Sequence, residues 1–251
     1  MGDQAPLVWA IGFGLLGSAG AVLVAAVFLA LRDPIRTALV PCLVSYAAGS
    51  LLGAALLGLL PDALAAGNAR PILATLLAGI ILFFVLERAL LWHHCHDRDC
   101  ERHRAAGPLL LVGDALHNFA DGAIVAGAFL TSVPLGIGTG LAVLAHEIPQ
   151  EFGDFGILLE SGFTRRSALL WNLASASPTL VGAVAGSLLL AEARSALPYV
   201  MALSAASFLY IAMADLLPHL HELGARRGFV GQFLLMLAGI GTIVAVRGLL
   251  S

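Results

Sequence analysis

The chain has 251 residues, of which 59% are hydrophobic and only 12% charged, and its mean hydropathy is +0.94. A soluble domain carries about 25% charged residues, so a single water-facing globule is excluded and lipid must solvate much of the surface. The net charge is −3, all 13 basic residues are arginine, and none form a basic patch interleaved with aromatics, so no nucleic-acid partner is implied.

The first residues, MGDQAPLVWA, lack the basic n-region of a signal peptide, and the first apolar stretch is expected to stay as a helix. A spanning helix needs about 20 apolar residues. Eight stretches meet this: 7–31, 39–60, 71–92, 108–130, 135–160, 167–191, 197–217 and 229–250. The joints between them (RDP, AGNARP, TSVP, SGFTRR, LGARRG) are short. The expectation is an all-α membrane protein: one transmembrane domain over 1–251, a bundle of eight helices, and a loop at about 93–106. Of the 13 arginines, Arg70, Arg194 and Arg247 fall on one side of such a bundle and the other ten on the opposite side. The arginine-rich side is cytoplasmic, which places both termini outside the cytoplasm. Small residues recur within the spans, as in GFGLLGSAG (12–20) and AAGSLLGAALLG (47–58), and they allow close helix contact in lipid.

The chemistry lies in the fourth and fifth stretches. In GDALHNFADG, Asp114, His117, Asn118 and Asp121 share one helical face. In LAHEIPQEFGDF, Glu147, Glu151 and Asp154 form a stripe with His146 and Gln150 on its shoulder. A charge at the centre of a membrane helix costs about 2.5–3.5 kcal/mol, so three facing lipid would cost about 7–10 kcal/mol. No arginine lies inside spans four to six that could offset this. A packing histidine and a metal-free proton relay compete as readings of such stripes. Two histidines beside four or five carboxylates favour a first-row divalent cation. Pro149 removes the hydrogen bond to the Ala145 carbonyl and is expected to kink the fifth helix beside these residues.

The third joint reads WHHCHDRDCERHR, with His93, His94, Cys95, His96, Cys100 and His103 as donors. Its spacing is not that of a structural zinc site, which leaves transient metal capture or an incidental solvated loop. Cys42 sits in an apolar run as a packing residue. Asp215, His219, His221 and Glu222 close the seventh span, as a solvated helix end or as part of an exit path. HEIPQE superficially matches the H-E-x-x-H of zinc hydrolases, but Gln150 stands where the second histidine belongs. Mixed Asn, Gln and carboxylate ligation suits release of an ion better than catalysis, so the chain is expected to be a transporter and not an enzyme, with no catalytic cofactor. An intramembrane metal-dependent hydrolase is the alternative.

HNFADG (117–122) and HEIPQEFGDF (146–155) resemble the paired signatures of the ZIP (Zrt/Irt-like) metal transporters. LFFVLER (82–88), WNLASA (171–176) and FLYIAMADLLPHLHE (208–222) extend the resemblance in the same order. It implies a homodimer, embedded in the lipid bilayer of the plasma (inner) membrane, that moves zinc or another divalent cation such as cadmium, iron or manganese into the cytoplasm. By motif position, His117, His146, Gln150 and Glu151 would hold one ion. Asn118, Asp121, Glu147 and Glu151 would hold a second, with Asp114 and Asp154 along the path. The chain departs from the family pattern at Gln150, where many relatives have His. It also departs at Ala54 and Gly58, where the second helix of relatives often carries an acid and a histidine.

Overall fold

The computed structural model describes residues 5–92, 102–218, 220 and 228–250. Among the described residues every regular element is helical. Helix α1 (Ala5–Leu15) passes through a π-turn (Leu16–Gly20) into α2 (Ala21–Leu29). Helix α3 (Asp33–Gly53) does the same through Ala54–Leu59 into α4 (Leu60–Ala66), and α5 (Ala69–Trp92) returns. Then come α6 (Arg102–Thr131), α7 (Val133–Glu160), α8 (Arg165–Ala176), α9 (Pro178–Glu192), a 3₁₀ turn (Arg194–Ala196), α10 (Leu197–Tyr210) with a π-turn (Ile211–Leu216), and α11 (Phe229–Leu250).

Local chemistry accounts for several boundaries. Thr164 caps α8, its hydroxyl accepting the Ser167 amide at 3.2 Å. Gly162, with φ of +91°, makes the turn after α7 that other residues resist. The expected 167–191 helix is broken at Ser177, and Pro178 opens α9, where its missing N–H is harmless. At Pro149, by contrast, α7 continues as one helix. The three π-turns were not expected from the sequence. Two of them fall in the small-residue runs noted above.

Among the described residues, six helical stretches are long and apolar enough to cross a membrane: Pro6–Val27, Ala38–Ala66, Ala69–Leu86, Arg165–Glu192, Arg194–Ala214 and Phe229–Leu249. Helices α6 and α7, which carry the polar stripes, are not among them. With 30 and 28 residues, at 1.5 Å per residue, they still run for about 40 Å or more, past a hydrocarbon core of about 30 Å. Helices α5 and α11 lie outermost, only 11% of their apolar windows being buried, whereas 67% of the Ala38–Ala66 window is. Large side chains such as Leu77, Phe84, Leu189 and Phe233 face outward, as expected where lipid is the solvent. The main apolar cluster joins Leu51, Leu59, Phe129, Leu135, Met201 and Phe208 from α3, its π-turn, α6, α7 and α10.

Two helix pairs are drawn together by glycine. A Cβ on Gly122 of α6 would overlap the Thr179 carbonyl of α9, and one on Gly182 of α9 would overlap the Phe119 carbonyl. Across α3 and α11, a Cβ on Gly49 would strike Met236 and one on Gly239 would strike Tyr46, both on backbone oxygen. Tyr46 also hydrogen-bonds Thr242 at 3.0 Å. At the end of this pair Arg247 holds Asp62 through two hydrogen bonds of 2.8 and 3.0 Å, a pair formed by residues that sequence alone left unassigned.

Substitution of these glycines should separate packing from helix propensity. Gly122→Ala and Gly49→Ala should destabilise the protein by about 1–3 kcal/mol through overpacking. Gly12→Ala and Gly241→Ala meet nothing within 4 Å and should stabilise it by about 0.5–1 kcal/mol. Thermal unfolding in detergent checks the sign, and a loss of stability in all four variants would refute the assignment.

Candidate metal centre

Helices α6 and α7 run antiparallel and place their polar stripes face to face. The ring Nε2 atoms of His117 and His146 approach to 3.2 Å. Asp121 Oδ2 lies 3.0 Å from His146 Nε2 and 3.7 Å from His117 Nε2. Glu147 Oε1 lies 3.7 Å from both imidazoles. One ligand atom from each of these four residues falls within 4.8 Å of all the others. A tetrahedral zinc ion with ligands at 2.0–2.2 Å would need separations of about 3.3–3.6 Å, which the paired distances bracket.

The tautomer needed for metal binding is already set at His146. Its Nδ1 faces the Ala142 carbonyl at 3.0 Å, so Nδ1 carries the proton and Nε2 keeps its lone pair for the cluster. Phe208 of α10 packs against the same ring at 6.0 Å between centroids. His146, Glu147 and Asp121 are each 1% exposed or less. Neither oxygen of Asp121, Glu147 or Glu151 takes a hydrogen bond, and the chain holds no arginine or lysine from residue 105 to 164. Buried carboxylates left bare in this way call for a proton or a cation, and the four donors are spaced so that they could hold a cation.

One turn along, a second group forms around Asp114. Asn118 Nδ2 donates to Asp114 Oδ1 at 2.9 Å, and Gln150 Nε2 donates to the same oxygen at 3.2 Å. Thr179 donates to Asn118 Oδ1 at 2.7 Å, and Ser175 faces Asp114 from α8. Glu151 and Asp154 are buried beside them, close enough for the charge of Asp114 to act on both.

The expected donors are therefore brought together, but in different company. His117 and His146 group with Asp121 and Glu147, whereas Gln150 and Asn118 turn to Asp114. Glu151 follows Gln150 in sequence and is not part of the four-residue cluster. Ala54 and Gly58 are buried in the π-turn after α3. Thr179 and Ser175 were missed; their signal was a polar face on the sixth span, at residues 172, 175 and 179. His93, His94, Cys95, His96, Cys100, His219, His221 and Glu222 lie outside the described residues. For His103 and Asp215 the described part is the helical backbone alone.

A family model described as ZIP Zinc transporter matches residues 91–247. Zinc transporter ZIP10 of Homo sapiens is 35% identical over 166 residues, covering 59% of this chain and 20% of that protein. Zinc transporter ZIP13 of Pongo abelii is 34% identical over 219 residues, covering 80% of this chain and 65% of that protein. Zinc transporter ZIP4 of Homo sapiens is 43% identical over 110 residues, covering 44% and 17%. The chain thus spans about a fifth of the length of ZIP10 and just under two thirds of ZIP13. The relatives carry the names of transporters and not of enzymes. With more than half of its length matched by the family model, this multi-pass, helical membrane chain belongs to the ZIP zinc transporter family.

Proposed function

We propose that the chain transports a divalent cation, zinc foremost, across the membrane and into the cytoplasm through the site between α6 and α7. The observation that carries the reading is the quartet of half-buried His117 and buried Asp121, His146 and Glu147, two imidazoles and two carboxylates within 4.8 Å of one another. Imidazole with carboxylate suits zinc, iron and manganese alike, so the geometry favours a class of ion, and the names of the relatives favour zinc within it.

In this reading the second group, with Asp114, Asn118, Gln150 and Glu151, is a second station for the ion, and Asp154 lies beyond it along the path. Amide and carboxylate oxygens hold a divalent ion less tightly than the imidazole pair does, which favours release. The whole chain acts as one unit of eight spans, with both termini outside the cytoplasm, as a homodimer in the plasma (inner) membrane. The length of α6 and α7 and the segregation of arginines support the eight spans. The His/Cys-rich loop at about 93–106 would meet the ion on the cytoplasmic side. A hydrolase is the weaker reading. Gln150, which replaces the second histidine of that motif, is tied to Asp114, and four protein donors leave no open metal position for a reactive water.

Purified protein in liposomes should show saturable zinc entry. Asp121→Ala and Glu147→Ala, each removing one ligand, should lower it at least tenfold, and Glu151→Ala should lower it by a similar factor if both stations are used. Protein that binds zinc yet moves none would overturn transport and reopen the hydrolase reading.

Zinc competes with protons for imidazole and carboxylate donors. Uptake should therefore fall severalfold between pH 7.5 and pH 5.5, the range in which histidine side chains in general take up a proton. A flat profile would count against His117 and His146 as ligands.

A further inference from the structure

One buried polar side chain beyond these groups has no partner and no role in the reading above. Asn172 on α8 is fully buried, and neither its Oδ1 nor its Nδ2 takes a hydrogen bond. A buried amide without partners is rare in a folded protein. It sits on the inward face of α8 with Ala168 and Ser175, while Leu170 and Trp171 on the other face are 58% and 53% exposed.

Helical register shows what Asn172 faces. Helices α6 and α8–α9 run in the same direction with a constant offset, Thr179 meeting Asn118 and Ser175 meeting Asp114. One turn back along α8 from Ser175 is Asn172. Helix α7 runs the other way, with His146 opposite Asp121 and Gln150 opposite Asp114. One turn on from Gln150 is Asp154, which is buried and within electrostatic reach of Asp114. Asn172 and Asp154 thus come to the same level from two helices, one turn beyond Asp114 towards the Glu160 end of α7. Just past them, Phe155, Leu158 and Ala168 form an apolar layer.

We propose that Asn172 is a further cation-contacting residue: its amide oxygen and the Asp154 carboxylate form a weaker, oxygen-lined station for the divalent ion beyond Asp114. The inference rests on the transport reading above and adds a third helix to the path. A neutral amide oxygen and a single carboxylate, without imidazole, hold zinc less tightly than the His117–His146 quartet. That ordering of strength lets an ion move on from the quartet.

The test is calorimetric titration of the purified full chain with zinc, comparing wild type with Asn172→Leu, which keeps the volume and removes the amide, and Asn172→Asp, which adds a charge. The tight event of the quartet and the event of the Asp114 group should persist in both variants, and a third, weaker event belongs to Asn172 with Asp154. The weaker event should fall at least tenfold in affinity in the Leu variant and rise at least fivefold in the Asp variant. In liposomes Asn172→Leu should slow zinc entry at least fivefold, and Asn172→Asp should change the preference of zinc over cadmium. A weaker event with unchanged affinity in both variants, or its absence from the wild type, would overturn the proposal. If the Leu variant does not fold, the Asp variant alone decides by the same criterion. Wild-type protein that binds zinc without transporting it would sink the transport reading, while the titration would still decide Asn172.

Discussion

Five carboxylates lie buried between helices, and no arginine or lysine stands between residues 105 and 164 to answer them. Asp114, Asp121, Glu147, Glu151 and Asp154 are all less than 9% exposed. Charges facing lipid would make α6 and α7 unstable as spans, so both helices must be enclosed by others. Helices α1, α3, α9 and α10 supply that enclosure, and α5 and α11 lie outermost. The neutral donors Asn118 and Gln150 quieten one carboxylate, Asp114. The remaining bare oxygens face histidine nitrogens and each other, the arrangement that a divalent cation resolves.

The enclosure has to be tight to deliver donors from neighbouring helices. Thr179 can reach Asn118 at 2.7 Å because Gly122 and Gly182 let α6 and α9 meet backbone to backbone. In lipid no hydrophobic force draws helices together, so this closeness depends on small residues and dispersion. The α3–α11 pair uses the same device through Gly49 and Gly239 and adds the Asp62–Arg247 clamp at its end.

Much of this was legible in the sequence. Apolar stretches of spanning length marked the helices, and 3.6-residue periodicity placed His117 with Asp121 and Glu147 with Glu151. Periodicity within one helix does not tell which residue meets which across an interface. The ligand sets inferred from motif order therefore paired His117 with Gln150, whereas the antiparallel register of α6 and α7 gives Gln150 to Asp114. The π-turns were hidden for a similar reason: an extra residue in a turn leaves no compositional mark in a run of Ala, Leu and Gly. Asn172 and Thr179 were overlooked because a lone amide or hydroxyl in an apolar span is cheap enough to pass as packing. The role of Asp62 was hidden because its partner lies 185 residues away.

Gly122 is the last letter of HNFADG, the pattern that first drew attention to α6. Its neighbour Asp121 belongs to the four-donor cluster, whereas Gly122 itself answers to the Thr179 carbonyl on another helix. A short pattern of adjacent letters thus stores two unrelated kinds of information, one about a ligand and one about the clearance demanded by a backbone 57 positions later. A relative could trade one carboxylate for another at 121 and keep its chemistry. At 122 the smallest added side chain already collides with a main-chain oxygen that no rotamer can move, and the two letters should therefore tolerate change to very different degrees.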